Sequence, residues 1–368
     1  MTPRRGPPTV EPMKITSLQV RAVQVPMPEP HRTASGTIAA SPLVLLTLHT
    51  DGGVAGHAIV FTYTPAALGP VASLLKNMEP LVVDQVLAPI ALYEHLQARF
   101  RLLGTQGLVG MALAGIDMAC WDALARARAE PLHAMLGGGN RPIQAYGGIG
   151  FDGEKDSALA AERWVRQGFR GIKAKIGYPT LAQDIAVIRA MRSAAGPDVE
   201  IMVDYNQSLT PAEAQIRLRA LDSEALAWVE EPVLAHDYAA FVQLAAGAST
   251  PLQAGENWWG PLDFRHALNA GVRDHVMPDA MKCGGVTGWM RVAAMAQAYG
   301  VPVSSHLWPE VSAQLLAVTP TAHRLEYTDW WNPILQSPLQ LREGMAIVDG
   351  VIGTGVQFDE QAVARFAA

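Results

Sequence analysis

Cysteine is nearly missing from this chain of 368 residues: only Cys120 and Cys283 are present. Two thiols that far apart, each in an apolar or glycine-rich setting, make neither a disulfide framework nor a clustered metal site. Plain packing in a reducing, cytoplasmic environment is expected. Positive charge is also in short supply. With 28 Lys and Arg against 34 Asp and Glu, the net charge of −6 provides no broad attraction for nucleic acid or an anionic membrane surface, and neither partner is expected. An anionic substrate would have to be drawn in locally. Nor is there a long apolar run free of charge: the most apolar stretch, residues 107–124, carries Asp117 and Asp122. It is too polar for a membrane span of about 20 residues and reads as a buried helix. The opening residues, 1–13, hold four prolines and two adjacent arginines but no apolar segment, which predicts a flexible arm rather than an export signal.

Hydrophobic residues are plentiful. At 49% of the chain, with only 17% charged, they leave ample surface to bury and argue against disorder. The length exceeds one ordinary core, but an α/β barrel can fill about 250 residues as a single domain, so a barrel with a smaller companion fits. The patterning divides accordingly. Residues 14–140 read as an α+β domain, with strands over 15–25 and 42–49 and helices over 65–81 and 91–127. Residues 141–332 alternate short apolar strands with amphipathic helices, as βα units do. Eight strands are predicted there, at 143–148, 171–177, 200–206, 226–232, 251–257, 275–280, 301–306 and 324–329. Thr180 with Gln183, and Thr210 with Glu213 around Pro211, form capping-box patterns that start helices between strands. Leu181, Ile185, Ile188 and Met191 give the first of these helices an apolar stripe. Residues 333–368 return to strand and loop character and are expected to rejoin the first domain.

Reactive groups in a parallel β/α barrel gather at the C-terminal ends of the strands. Lys173, Lys175, Asp204, Asn206, Glu230, Glu256, Asp279, His306 and Glu326 all fall at or near such ends. Asp204, Glu230 and Glu256 recur every 26 residues, about one βα unit apart, so neighbouring strands would bring them to one point. Three carboxylates with no Cys or His among them make a hard-ligand site that suits Mg²⁺. Singly, each could as well be a salt bridge or a helix cap; the equal spacing favours the metal. Of the adjacent Glu230 and Glu231, alternation lets only one point inward, which makes Glu230 the predicted ligand and Glu231 a supporting residue. Lys173 and Lys175 share one strand face, and their repulsion favours a neutral lysine able to act as a general base. Asp279 and His306 end successive strands, close enough for the carboxylate to fix the imidazole tautomer and make a second base. Glu326 reads either as a protonated acid donating to a developing oxyanion or as a surface salt bridge. His57, His236, His275 and His323 are read as structural.

Extended motifs surround these residues. They are K-A-K-I-G-Y-P at 173–179, M-V-D-Y-N-Q-S-L at 202–209, W-V-E-E-P at 228–232, A-G-E-N-W at 254–258, P-D-A-M-K-C-G-G-V-T-G-W at 278–289, S-S-H-L at 304–307 and T-P-T-A-H at 319–323. Together with G-I-D-M-A-C-W-D-A-L at 115–124, they resemble the enolase superfamily, specifically its mandelate racemase subgroup, over nearly the whole chain after the arm. The resemblance implies an α/β fold: a modified TIM barrel, (β/α)7β, with an α+β capping domain. It implies that Asp204, Glu230 and Glu256 bind Mg²⁺ and that Lys175 and the His306–Asp279 pair are opposed bases. Lys173 would tune Lys175, Glu326 would be the electrophile, Asn206 would meet the substrate or metal shell, and Lys282 would lie in the supporting shell. A small carboxylate substrate and a homo-oligomer are expected. The implied chemistry is removal of the proton next to a carboxylate through an enediolate, inversion being possible with bases on opposite faces. A Lys or His base working beside Mg²⁺ is a rule of that superfamily rather than a deduction from spacing.

Some positions depart from the subgroup's pattern. Gly148 stands where a serine hydroxyl would help hold the substrate carboxylate. A flexible loop over the site, expected at 26–37, carries His31 and Ser35 in place of valines, while Thr328 replaces a leucine and Trp308 a phenylalanine. Phe61, Tyr63 and Leu307 keep an apolar wall against the substrate, with His31 and Trp308 beside them. A more polar pocket is expected. The leading expectation is racemisation of a 2-hydroxy acid by two bases. The alternative is an acid-sugar dehydratase, which expels a β-hydroxyl at the same site. A barrel without catalysis is the remote third reading, opposed by the intact set of costly buried charges.

Overall fold

The structure, a computed structural model, describes residues 12–33 and 36–368. Ser35 and nearly all of the arm expected over 1–13 lie outside these residues. The chain begins with an antiparallel sheet in the order β1 (Ile15–Thr33), β2 (Gly36–Thr50), β3 (Ala55–Phe61). The sequence reading misses β3, whose last four residues, Ala58, Ile59, Val60 and Phe61, are all buried and so show no two-residue alternation. Where the sequence suggests a loop over 26–37, β1 and β2 instead run on as a paired ribbon. Pro28 and Pro30 fall between Pro26 and His31, where the register shifts and no pairs form, so their missing N–H groups cost the ladder nothing.

Helices α1 (Pro65–Val82) and α3 (Gly107–Ala127) pack on this sheet, with α2 (Pro89–Arg99) beside them. The helical pattern over 91–127 is thus broken into two helices by turns at residues 100–106. α3 is long and apolar enough to cross a membrane by length and composition alone, yet 83% of its most apolar window is buried in the protein. Gly56 lets it approach: a Cβ there would lie 2.0 Å from the Ala119 carbonyl oxygen.

After the short α4 (Leu132–Met135), the chain alternates strands and helices. The sequence of elements is β4 (Ile143–Ile149), α5 (Gly153–Arg166), β5 (Gly171–Lys175), α6 (Leu181–Ala195), β6 (Glu200–Asp204), α7 (Pro211–Leu221), β7 (Val229–Glu230), α8 (Tyr238–Gly247), β8 (Leu252–Ala254), α9 (Gly260–Ala270), β9 (His275–Val276), α10 (Gly285–Tyr299), α11 (Pro309–Ala317) and β10 (Leu325–Tyr327). Both predicted capping boxes are formed, at Thr180 and at Thr210. β4 to β9 pair in parallel and in order. The strand expected over 301–306 is reduced to bridges, Val303 to Val276 and Ala322, and His306 to Asp279. β10 then pairs in parallel with β4 and closes the barrel.

Two buried acids of α3 fasten this first domain to the rest. Asp117 accepts from the backbone N–H and hydroxyl of Thr287 on α10. Asp122 accepts from His57 N on β3, from Arg126, and from the backbone N–H and hydroxyl of Thr354 in the C-terminal segment. That segment forms a hairpin of β11 (Gln340–Arg342) and β12 (Met345–Ile347), with β12 antiparallel to the start of β4. It ends in α12 (Glu360–Arg365), after which Val23 of β1 bridges Ala367 and Gln24 N donates to Phe366 O.

Candidate active site

The barrel order sets the site. Lys173 and Lys175 end β5, Asp204 ends β6, Glu230 ends β7, and Glu256 follows β8. Gly255, at φ +129°, turns the chain there so closely that an added Cβ would sit 3.0 Å from Met277 N, which leaves room for no side chain just before Glu256. One oxygen from each of Asp204, Glu230 and Glu256 lies within 4.8 Å of the others, and all three residues are buried. Lys175 Nζ donates to Asp204 Oδ2 at 3.0 Å and to Asn206 Oδ1 at 2.7 Å. At the other side, His306 Nε2 lies 3.2 Å from Glu256 Oε2, and its Nδ1 lies 2.7 Å from Asp279 Oδ2. The lysine and the imidazole therefore border the acids from two sides. Backbones at positive φ crowd the region: Tyr63, Asn206, Gln207, Glu231, Leu307 and Trp308. Such strain persists only where the surroundings overdetermine it.

The donor set fits a hard divalent cation. The three acids gather without a cysteine or histidine ligand in the group. Glu230 is pushed well above the usual carboxylate range by burial, and Asp204 and Glu256 add to the rise against the pull of Lys173. Mutual repulsion of that kind is what a cation relieves. Glu231, also pushed up by burial, turns one oxygen to Asn257 at 2.7 Å and leaves Oε1 without a partner.

Two electrostatic expectations need correction. Burial alone would lower Lys175, and Lys173 lowers it further, but Asp204 and Glu256 outweigh both and hold it above its ordinary value. Lys173 is likewise raised, because Glu230 at 2.6 Å and Glu326 at 2.9 Å outweigh its burial. A repelled, neutral lysine is thus not what this arrangement gives. For Glu326, burial pushes the carboxyl up, but Lys173 and then His306 carry it below the ordinary glutamate value. The sequence shows two like charges on one strand and hides the opposite charges that adjacent strands bring. His306 is raised, with Glu256, Glu326 and Asp279 overcoming its burial.

The cavity above these groups has two lobes that share His31, Lys175, Glu256, His306, Leu307 and Trp330. The larger, about 980 Å³, is walled by Phe61, Tyr63 and Ile38, with Asn206 and Lys282 at its edge. The smaller, about 380 Å³, reaches past Gly148 toward Arg163, Thr328, Asp329 and Asn332. An added Cβ at Gly148 would meet nothing within 4 Å, so the glycine widens this lobe. His31 packs against Trp330 at 4.8 Å between ring centroids, and burial drives its pKa down to about 3. Trp308 does not line the cavity. Its backbone at φ +48° turns the indole away, and Nε1 donates to Ile59 O of β3 at 3.0 Å, fastening barrel to cap. Asn257 was not singled out from sequence, although it follows Glu256 directly. Its amide donates to Glu231 and Glu256 and accepts from Lys282 Nζ at 2.7 Å.

Comparison with known proteins agrees with this geometry. Residues 15–137 match the model of the mandelate racemase / muconate lactonizing enzyme N-terminal domain, and residues 156–362 match the enolase C-terminal domain-like model. The chain is similar to the L-talarate/galactarate dehydratase of Salmonella typhimurium, 30% identical over 87% of this chain and 81% of that one. It is similar to the D-galactarolactone cycloisomerase of Agrobacterium fabrum, 28% identical over 96% of this chain and 99% of that one. Among solved structures, an enolase from Bradyrhizobium complexed with magnesium and mandelic acid is 44% identical, with a TM-score of 0.92 over 98% of this chain and 100% of that one.

Proposed function

The chain belongs to the mandelate racemase / muconate lactonizing enzyme family of the enolase superfamily, and on that premise we propose that it is a Mg²⁺-dependent enzyme removing the proton next to a carboxylate. The observation that carries this reading is the pair of bases bordering the acid cluster, Lys175 beside Asp204 and His306 beside Glu256. Asp204, Glu230 and Glu256 would hold the ion. When bound, Mg²⁺ supplies positive charge for the substrate carboxylate as the α-proton leaves. Asp204 and Glu256 hold Lys175 protonated here, and as ligands they would hold that proton less strongly, leaving Lys175 as the base on its side. Asp279 engages His306 Nδ1, and Nε2, beside Glu256 Oε2, is the nitrogen left for proton transfer. Lys173, paired with Glu230 and Glu326, anchors two acids and would balance charge as the substrate carboxylate gains electrons.

Racemisation of a 2-hydroxy acid follows if one base takes the α-proton and the other returns a proton to the opposite face. A second reading has its own support: the smaller lobe, with Arg163, Thr328, Asp329 and Asn332, suits a hydroxylated substrate. Acid-sugar dehydration would use the same first step, after which the β-hydroxyl leaves with a proton as water and an enol becomes a keto acid. The assay that separates them supplies single enantiomers of 2-hydroxy acids and sugar acids to Mg²⁺-loaded enzyme in deuterated water. Exchange of the α-proton with inversion supports racemisation; keto-acid formation supports dehydration. His306→Asn should abolish racemisation while one enantiomer still exchanges through Lys175, and replacing Lys175 should give the mirror result. Loss of both exchanges in each variant, with Mg²⁺ still bound, would reject opposed bases.

A further inference from the structure

The base formed by His306 and Asp279 belongs to the barrel, yet one of its hydrogen bonds comes from the other domain. Tyr63 follows β3 at φ +57°, a conformation costly for an aromatic residue. From there its hydroxyl donates to Asp279 Oδ2 at 3.1 Å. The same oxygen faces His306 Nδ1 at 2.7 Å, and Oδ1 accepts from Met281 N at 2.8 Å and Lys282 N at 2.9 Å. A carboxylate offers about four acceptor positions, and here all of them are used. The ring itself is packed by Phe61 at 4.7 Å between centroids and by Lys282 Nζ at 4.6 Å from the ring centre. Burial and Asp279 raise the phenol well above its ordinary pKa, so the hydroxyl keeps its proton and remains the donor.

We infer that Tyr63 is a positioning residue for one of the two bases: through Asp279 it sets the orientation of the His306 ring, and so makes proton transfer on that face depend on the capping domain being seated. This rests on the two-base reading above. Among the described residues Lys175 has no such link, since its side-chain partners there are Asp204 and Asn206. A residue acting only as apolar wall would affect both faces alike. A residue holding Asp279 in place affects one.

Tyr63→Phe removes the donor and keeps the ring. Measured with Mg²⁺-loaded enzyme and single enantiomers in deuterated water, kcat for the direction started by His306 should fall roughly tenfold with KM within about twofold, while exchange started by Lys175 changes by less than about twofold. In a His306→Asn background, Tyr63→Phe should have no further effect on the remaining exchange. Equal losses in both directions, or no loss in either, overturn the inference. A second measurement needs no substrate: the low-field proton signal that disappears in His306→Asn, assigned to the Nδ1 proton, should shift in Tyr63→Phe because Asp279 Oδ2 loses one of its two donors. An unshifted signal also overturns the inference. If no acid exchanges at all, the two-base reading is lost, and the proton signal alone then decides whether Tyr63 acts on Asp279.

Discussion

Two groups of buried acids in this molecule do opposite things. In α3, Asp117 and Asp122 each stand apart and each is surrounded by donors, so the chain ties its domains together through them. At the barrel mouth, Asp204, Glu230 and Glu256 face one another within 4.8 Å, and burial, with the other acids adding to it, pushes Glu230 upward. Burial is therefore no guide to role. Both groups have donors, Lys173 on Glu230 and Lys175 on Asp204 among them; what separates the two cases is whether other carboxylates crowd the same point as well. A buried acid surrounded by donors stabilises the fold, whereas one facing its own kind stores repulsion that a cation can release.

Substitution should split the two classes cleanly. Glu256→Gln is expected to lower turnover by about 10³-fold or more and to weaken Mg²⁺ affinity in calorimetry, while the metal-free protein still folds in urea titration. Asp122→Asn should do the reverse. It breaks a buried pair with Arg126 at 2.6 Å and turns an amide toward backbone donors, so a loss of about 3 kcal/mol in urea unfolding is expected, with Mg²⁺ affinity of the folded fraction unchanged. Were Glu256→Gln to unfold the protein, or Asp122→Asn to inactivate it without loss of stability, the distinction would collapse.

A smaller effect concerns acid pH away from the mouth. His57, between β3 and the C-terminal segment, and His323, under the barrel, are both lowered to about 4, chiefly by burial. Their folded values lie below the unfolded value of 6.5, so the unfolded chain takes up protons first as the pH falls. Stability should decline from about pH 6.5 toward about pH 4 and level off below. Allowing for their partial solvent exposure, about 1–2 kcal/mol in all is expected. Urea titrations across that range should show the slope, and replacing either histidine with a neutral residue should flatten it. An unchanged slope would remove these two groups from the acid response.

The site was more legible in the sequence than the strands that carry it. Equal spacing of Asp204, Glu230 and Glu256 survives however short the strands are, and β7 is only Val229–Glu230. Capping boxes at Thr180 and Thr210 were readable because they are local. β3 was not, since covering both faces erases the alternation that marks a strand. The ribbon over 26–33 and 36–40 was hidden by prolines whose unpaired register only the fold reveals. Protonation was the least legible feature: Lys173 and Lys175 stand two residues apart, but Glu230, Asp204 and Glu326, which decide their charge, come from other strands. Trp308 looked like a pocket residue because it stands where the subgroup's pattern has a phenylalanine, and from a left-handed backbone its indole reaches Ile59 O instead.

The closing strand pairing has a consequence for solubility. β1 is an outer strand of its sheet, and an open strand edge is a template for aggregation. Residues 366–368 cover part of that edge: Gln24 N donates to Phe366 O, Ala368 N donates to Ala22 O, and Val23 bridges Ala367. The guard is synthesised more than 300 residues after the edge it protects. A nascent chain lacks these pairings until its residues 366–368 are made, so their order of synthesis leaves this stretch of edge without its native cover until late.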